Sequence, residues 1–282
     1  MPQPKPADIA PAVAPAPPVV APPKDLRLAL DGTEVHELVS TTNGRAYQIA
    51  VAPPAPEPGK RFATVYVLDG NWDFPLVHAM RGSLQYDEVI PPILIVGVGY
   101  AGPSPDIGNL RASDFTPSAH PSRPDSGQAP QFLRFLEDEV IPFVQARYAS
   151  DPAHRVLTGA SFGGLFALYA LFEKPELFSG YVSITPAVAW DDGWIVKRER
   201  EFSKTQREPL TQRLWVSFGE AEKPERVKRG REFIRELEGR SYLRTALRTR
   251  MIEGEGHASL KNESFTRGLR FVLAPVAPKP SK

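Results

Sequence analysis

The feature that most constrains the fold is one junction, residues 156–168, in which an apolar run turns within five residues into an apolar helical run. The turn reads Gly159-Ala160-Ser161-Phe162-Gly163, and its two glycines allow a sharp bend with close approach of neighbouring backbone. A strand that passes directly into a helix is the unit from which parallel sheets are built. The junction therefore predicts an α/β fold with Ser161 at the strand–helix turn, where the helix dipole favours developing negative charge.

Apolar strand-like runs alternate with helical patterns along the rest of the chain, which is the order expected of parallel β–α units. Near the N-terminus, two such runs flank Asn43-Gly44, a pair suited to a hairpin turn, and they predict an antiparallel start to the sheet. A long helical pattern over Pro130–Tyr148 should bend at Pro142. We expect about eight strands in one mostly parallel, doubly wound sheet. The predicted strands are Val35–Thr41, Ala46–Ala52, Phe62–Leu68, Ile93–Val98, Arg155–Thr158, Gly180–Ile184, Arg213–Phe218 and Arg248–Ile252, and further helices are predicted over Phe162–Phe172, Arg226–Glu238 and Ser259–Leu273.

Proline and alanine dominate residues 1–24, a composition that favours extended conformations and cannot form a core. We expect this segment to be a disordered tether, residues 25–274 to be one catalytic domain, and residues 275–282 to be a Pro-rich tail. A tether of this kind suits a periplasmic or otherwise extracytoplasmic protein held behind an anchor, but a cytoplasmic protein can carry the same arm. The sequence leaves the localisation and the oligomeric state open.

Charge and composition argue against several function classes. The 34 basic and 33 acidic residues give a formal net charge of +1, so nucleic acid is not an expected partner. The sequence has no run of about 18 apolar residues, so no transmembrane segment is predicted. There is no cysteine, no phosphate-binding glycine loop with lysine and no histidine cluster with metal-ligand spacing. We therefore expect neither a metal nor an organic cofactor.

Ser161 is the predicted nucleophile. Its Gly-x-Ser-x-Gly turn resembles the nucleophile elbow of α/β-hydrolases, in which the serine is followed along the chain by an acid and then by a histidine. Four of the five histidines precede Ser161, so His257, in a glycine-rich loop after the last strand, is the predicted general base. In a protein without catalysis, Ser161 would be a helix N-cap and His257 a residue ahead of the last helix.

The acid of such a triad is expected after the strand Arg213–Phe218, where Glu220, Glu222 and Glu225 are candidates. Glu222 is preferred, because in many hydrolases of this fold the acid stands three positions after a glycine at this strand end. It would orient His257 and stabilise the protonated imidazole. The alternative is that all three glutamates are solvated residues at a helix start and that a serine–histidine pair suffices.

Further motifs resemble the Putative esterase family of α/β-hydrolases, which includes esterase D, feruloyl esterases, mycolyltransferases and trilactone siderophore esterases. The resemblance spans most of the predicted domain. It rests on Tyr66-Val67-Leu68-Asp69-Gly70, Ile95-Val96-Gly97-Val98-Gly99-Tyr100, Arg111 with Asp114-Phe115-Thr116-Pro117, Gly159 through Gly164, and Gly256-His257.

Acyl transfer needs an oxyanion hole, and the backbone amides of Phe162 and Asn71 are the predicted donors. The first follows the nucleophile, and the second lies in the loop after Asp69-Gly70, where the resemblance implies such a donor. The resemblance also implies a substrate-side role for Arg111, which would clamp an acidic or catecholate group or else simply pair with Asp114. Trp190 would line the acyl or alcohol pocket, or else pack in the core.

Together these residues predict a serine carboxylic-ester hydrolase that forms an acyl-enzyme on Ser161 and acts on a small-molecule ester. A siderophore or another small polyester is the preferred substrate class, although Thr185 and Ala187 stand where relatives resembling siderophore esterases commonly have serines. Pocket shape depends on the long loop Ala101–Ala129, which the sequence cannot position. Two alternatives stay open: an acyltransferase that uses an alcohol in place of water, and an inactive hydrolase fold that serves as a tethered binding module.

Overall fold

The central sheet of the computed structural model follows the predicted strands closely. The structure describes residues 30–206, 208–243 and 246–276, and these contain eight strands. The strands lie in the sheet in the order in which they occur along the chain, except that the third and fourth strands exchange places. They are β1 (Glu34–Val39), β2 (Ala46–Ala52), β3 (Phe62–Leu68), β4 (Ile93–Tyr100), β5 (Ser150–Ala160), β6 (Gly180–Ile184), β7 (Arg213–Gly219) and β8 (Leu247–Ile252).

Strand direction matches the expectation of a mostly parallel sheet with an antiparallel start. β1 and β2 form the predicted hairpin, and β2 also runs antiparallel to β4. The remaining neighbours, from β4 through β3 to β8, pair in parallel. Every residue of β3, β4 and β6 is buried, as expected for strands that helices cover on both faces. The fold class is therefore confirmed as the α/β-hydrolase type.

The helices connect these strands and cover the sheet. The helix that follows the Ser161 turn is apolar along most of its length, and residues 163–172 are all buried. A helix that is apolar all round belongs in the interior, so the strand–helix junction is anchored in the core. The helices are α1 (Gly70–Tyr86), α2 (Ile107–Asp114), α3 (Ala129–Phe135), α4 (Ile141–Arg147), α5 (Phe162–Glu173), α6 (Trp190–Thr205), α7 (Pro224–Glu238) and α8 (Lys261–Leu273).

Two helical regions differ from the sequence-based expectation. The pattern over Pro130–Tyr148 is interrupted by one wide helical turn, Leu136–Val140, between α3 and α4. Pro142 has no N–H to donate to the carbonyl four residues earlier, so the hydrogen-bond register changes just before it. α6 was not predicted, because its first residues, Asp191 to Gly193, have left-handed backbone angles that break the helical pattern.

The described residues from Gly32 onward belong to one compact unit. The predicted tether, residues 1–24, lies outside the described residues, as do residues 277–282 of the predicted tail. No helix in the described ranges is both long enough and apolar enough to span a bilayer.

Candidate active site

Five predicted or newly found polar residues follow five parallel strands. Asp69 follows β3, Ser161 follows β5, Thr185 follows β6, Glu222 lies just beyond β7, and His257 follows β8. Because these strands are parallel, their carboxyl ends lie along one edge of the sheet, which is where α/β proteins place their ligands. The topology therefore brings together side chains that are up to 188 positions apart in sequence, as the Lys261–Asp73 ion pair at the same edge also shows.

Ser161 lies on a strained turn. Its φ of 58° is in the left-handed region, which a non-glycine residue adopts only where its surroundings hold it. The Ser161 N–H donates to the Ile184 carbonyl at 2.9 Å, and its own carbonyl accepts from the Ala187 N–H at 3.1 Å. A Cβ at Gly159 would lie 2.7 Å from the carbonyl carbon of Gly163, so only glycine permits this close turn. The predicted elbow geometry is present.

Glu222 holds His257. The distance between Glu222 Oε2 and His257 Nδ1 is 2.7 Å, and Glu222 Oε1 accepts from the Thr185 hydroxyl at 2.7 Å and the Gly219 amide at 3.0 Å. The Glu222 side chain is only 1% exposed. Burial alone would raise the pKa of Glu222, but the three hydrogen bonds more than offset it and place the pKa below its ordinary value. The carboxylate is therefore ionised at neutral pH.

The other two glutamates of the predicted set point elsewhere. Glu220 forms an ion pair with Arg231, and Glu225 is exposed in the first turn of α7. Of the three candidates, Glu222 is the one in contact with the histidine. The glycine-plus-three spacing therefore selected the residue that the fold brings to His257.

Thr185 was not identified as a functional residue from the sequence, where it stood out only as a departure from related chains. It has a φ of 36°, which is a marked outlier for a β-branched residue, and its side chain is buried. Its amide donates to the Ser217 carbonyl at 2.6 Å, and its hydroxyl lies 2.7 Å from Glu222 and 3.2 Å from His257 Nδ1. The strained backbone thus holds a hydroxyl directly against the Glu222–His257 pair.

Arg226 of α7 also contacts His257. Its Nη1 atom lies 2.7 Å from Nδ1 and 3.0 Å from Nε2 of the imidazole. The lone pairs of the two ring nitrogens diverge in the ring plane, so one atom this close to both lies over the ring face. His257 and Ser161 form no hydrogen bond with each other here, and the histidine side chain is 37% exposed. The ring is therefore oriented by Glu222 and covered by Arg226.

The two predicted oxyanion donors lie in the first turns of two helices. Asn71 is in the first turn of α1 and Phe162 is the first residue of α5, positions at which backbone N–H groups have no partner within the helix. The Asn71 side chain is fixed by two hydrogen bonds to the backbone of Tyr100, at 2.7 and 3.1 Å. This fixation orients the start of α1 against β4.

Arg111 forms a bidentate ion pair with Asp69, at 2.7 and 2.8 Å, and also donates to the Ala160 carbonyl at 3.2 Å. The alternative pairing with Asp114 is wrong, because the Asp114 carboxylate is taken by Arg45. Burial alone would lower the pKa of Arg111, but the Asp69 carboxylate offsets this and raises the pKa above its ordinary value. Arg111 thus ties the loop after β3 to the residue before Ser161, with two of its three nitrogens already engaged.

Comparison with known proteins agrees with this geometry. Residues 40–262 match the model of the family described as Putative esterase, which is more than half of the chain. The chain belongs to the Putative esterase family. It is a carboxylic-ester hydrolase, and several of its relatives are named esterases.

This esterase is 32% identical over 270 residues to the ferri-bacillibactin esterase BesA of Bacillus subtilis, a match that covers 88% of this chain and 92% of that protein. It is 31% identical to the siderophore triacetylfusarinine C esterase of Aspergillus fumigatus, over 73% of this chain and 79% of the relative. Among solved structures, the BES protein from Bacillus cereus superposes with a TM-score of 0.80 at 28% identity, covering 89% of this chain and 98% of that one.

Aromatic rings surround the Ser161 turn of this esterase. Trp190 lies edge-on to Phe162 with ring centroids 5.2 Å apart, and the His120 ring centroid also lies 5.2 Å from that of Trp190. The Trp190 indole N–H is shared between the two oxygens of Ser118, at 3.2 and 3.3 Å. Trp190 is half-buried, so it both packs against α5 and borders the site. Arg111 lies near two further rings, 5.8 Å from the centroid of Trp72, which is 50% exposed, and 5.4 Å from that of Phe162.

In the described part of this esterase, no group of three or more His, Asp or Glu side chains is arranged to hold a metal ion. Two of the cationic side chains at the site are each paired with one carboxylate. Lys261 of α8 binds Asp73 of α1 at 2.7 Å, and Arg111 binds Asp69. The two ion pairs connect α1 with the helix after His257 and with the turn at Ser161.

Proposed function

We propose that this esterase works through an acyl-enzyme on Ser161, with His257 as general base and Glu222 as the acid that orients it. The contact between Glu222 Oε2 and His257 Nδ1, at 2.7 Å, carries the proposal. It leaves Nε2 as the nitrogen available to a serine hydroxyl. The strained Ser161 turn at the neighbouring strand end supports the assignment of the nucleophile.

The reaction proceeds in two halves. His257 Nε2 removes the Ser161 proton as Oγ attacks the ester carbonyl, and the amides of Asn71 and Phe162 donate to the oxyanion that forms. The imidazolium then protonates the alcohol oxygen, which leaves as the acyl-enzyme forms. Water, deprotonated by the same nitrogen, attacks the acyl group, and the carboxylic acid is released with the serine proton restored.

The histidine has to turn its Nε2 toward Ser161 for the first step. Arg226 contacts that nitrogen in the structure, so its guanidinium must shift when an ester binds. The Arg226 side chain is half-exposed, and an exposed arginine changes rotamer at little cost. Glu222 and Thr185 meanwhile hold the other nitrogen, so the ring pivots about a fixed point.

For the substrate, we propose a siderophore-type or other small polyester ester. Two relatives that are more than 30% identical over most of their length are named as esterases of ferri-bacillibactin and of triacetylfusarinine C. The aromatic rim of Phe162, Trp190 and His120 supports a substrate with flat, unsaturated groups. Of the two positions at which relatives commonly have serines, position 185 keeps a hydroxyl as threonine, whereas position 187 is alanine.

The catalytic assignment is tested by hydrolysis of 4-nitrophenyl acetate and butyrate. Ser161→Ala and His257→Ala should each lower kcat/KM by about 10³-fold or more, because each removes a group that acts only as part of the pair. His154→Ala is the matched control, since His154 is paired with Asp151 at the start of β5, far from the strand ends that carry the site, and should retain wild-type kinetics.

The substrate class is tested separately with a macrocyclic catecholate trilactone, followed by liquid chromatography and mass spectrometry. Ring opening with addition of one water molecule, absent in Ser161→Ala, is the expected result. If the nitrophenyl esters are cleaved but the trilactone is not, the siderophore assignment is wrong and the mechanism stands. If the wild type cleaves neither, or the two variants keep its activity, the mechanism is contradicted.

A further inference from the structure

We propose that Arg226 and Arg229 of α7 form an anion-binding subsite for the alcohol part of the ester substrate. The inference rests on the proposed function. It adds that the substrate carries a negative charge and that this charge lies on the alcohol part of the ester.

The positive charge of Arg226 is only weakly neutralised by a neighbouring carboxylate. Its distance to Glu222 is 3.8 Å, the long end of an ion pair, and the oxygens of Glu222 already accept from His257, Thr185 and a backbone amide. The Arg226 side chain is 52% exposed. A guanidinium presents five donors in a flat fork that matches a carboxylate, so most of its donors are free for a ligand.

Arg229 lies one helical turn further along α7 and borders the same cavity as Arg226. The positive charge of Arg229 helps to lower the pKa of Asp192. The hydrogen bond to the Asp192 carboxylate, however, comes from Lys197, at 3.0 Å. Two positive charges therefore stand at one cavity, spaced at i and i+3 on one face of the helix.

The wall of this cavity is apolar. It is formed by residues 186–189, together with Phe218 at the end of β7. Thr185, which holds Glu222 and touches His257, borders it as well. A small apolar cavity beside the general base, with guanidinium groups at its edge, suits an organic group that carries a carboxylate or a similarly delocalised anion.

The position next to His257 identifies the side of the ester. During acylation the imidazolium gives its proton to the leaving alcohol oxygen, so the alcohol part extends past His257. The guanidinium group of Arg226 lies over the imidazole ring of His257. An anionic group on the alcohol part would attract Arg226 away from Nε2, which is the movement that the proposed mechanism requires.

The test compares two esters that differ only in charge on the alcohol part, 3-carboxyphenyl acetate and 3-carbamoylphenyl acetate. The ratio of their kcat/KM values should favour the charged ester in the wild type. Arg226→Gln and Arg229→Gln should each reduce that ratio by about tenfold, mainly through KM, because each removes one charged hydrogen-bond donor. Using the ratio cancels any effect of Arg226 on His257 itself, which acts on both esters.

Lys228→Gln is the matched control. Lys228 is exposed on the same helix and borders neither this cavity nor its neighbour, so the variant loses the same charge and should keep the wild-type ratio. Equal ratios in the wild type and both arginine variants would overturn the subsite. An ester with its charge on the acyl part, 4-nitrophenyl hydrogen succinate, tests the side. If the arginine variants lose activity toward this ester but keep the wild-type ratio for the two phenyl acetates, the alcohol-side assignment is contradicted.

Binding distinguishes this inference from the proposed mechanism. Calorimetric titration of the Ser161→Ala protein with 3-hydroxybenzoate, the alcohol product, requires no catalysis. The dissociation constant should rise about tenfold when Arg229→Gln is added. If Ser161→Ala leaves ester hydrolysis intact but this binding difference is present, the mechanism fails and the subsite stands. If hydrolysis needs Ser161 and the binding difference is absent, only the subsite is wrong.

Discussion

Replacing Thr185 with valine isolates the contribution of one hydroxyl to the active site. Valine keeps the size and β-branching of threonine, so the strained backbone at φ 36° is perturbed little. The change removes one of three donors to the Glu222 carboxylate, the others being His257 and the Gly219 amide. Glu222 Oε1 would then keep the Gly219 amide as its one donor, while Oε2 would keep His257.

The magnitude follows from the burial of that carboxylate. A hydrogen bond to a charged group contributes about 1.5–3 kcal/mol, and Glu222 is too buried for water to replace the lost donor fully. Each 1.4 kcal/mol that is expressed in the transition state is a factor of about ten in rate. We therefore expect Thr185→Val to lower kcat/KM for 4-nitrophenyl acetate by about 10- to 100-fold.

Thr185→Ser is the matched control, because serine retains the hydroxyl and relaxes the β-branched strain. It should keep most of the activity, and circular dichroism should show the same fold for both variants. A valine variant that is folded and as active as the wild type would refute the assignment of Thr185 as a positioning residue. Equal losses in valine and serine would refute it as well.

Three further predictions concern the charged residues of the site. Arg111→Gln leaves the Asp69 carboxylate buried and unpaired, so thermal unfolding should show a loss of about 3 kcal/mol and kcat should fall more than KM rises. Glu222→Gln should lower kcat/KM by about 100-fold or more, whereas Glu220→Gln, which breaks only an exposed ion pair with Arg231 of α7, should leave it unchanged. The pKa of Glu222 is lowered on folding from an ordinary value of 4.5, so its ionised form stabilises the folded state above that value. The stability difference between the wild type and Glu222→Gln should therefore shrink as pH falls below about 4.5, which chemical denaturation at several pH values would measure.

Residues in local motifs could be located from the sequence. Ser161 sits between two glycines at a strand–helix junction, and His257 is the sole histidine after it, so pattern and chain order were enough to expect both residues at one edge of the sheet. Glu222 was found from its spacing after the glycine that ends β7. Each of these signals spans only a few residues, and each depends on a backbone geometry that few residue types satisfy.

Contacts across the fold could not be read in this way. Pairing with the nearby Asp114 was one of two expectations for Arg111, but the fold brings Arg111 to Asp69, 42 positions away, because the ends of β3 and β5 are neighbours. Thr185 and Arg226 carry no local signal of their own, since a threonine after a strand and an arginine on an exposed helix are common. Their positions against His257 depend on the order of β5 to β8 in the sheet.

The helices also differ in how well the sequence predicts them, depending on whether the signal is local. α5 was predicted to within one residue of its end, because its apolar run and glycine turn are local features. α6 was missed, since three residues near its start have left-handed backbone angles and give no helical pattern. The loop Ala101–Ala129 contains the short helix α2, whose Arg111 is held by an ion pair with a distant strand end.

The central claim is that Ser161 is the nucleophile and that His257 activates it. Treatment with a fluorophosphonate, followed by proteolysis and mass spectrometry, tests this most directly, because the reagent traps an activated serine whatever the natural substrate is. One adduct is expected, on the peptide that contains Ser161, and it should form far more slowly in His257→Ala. An adduct on another serine, or equal labelling of Ser161 in the wild type and in His257→Ala, would contradict it.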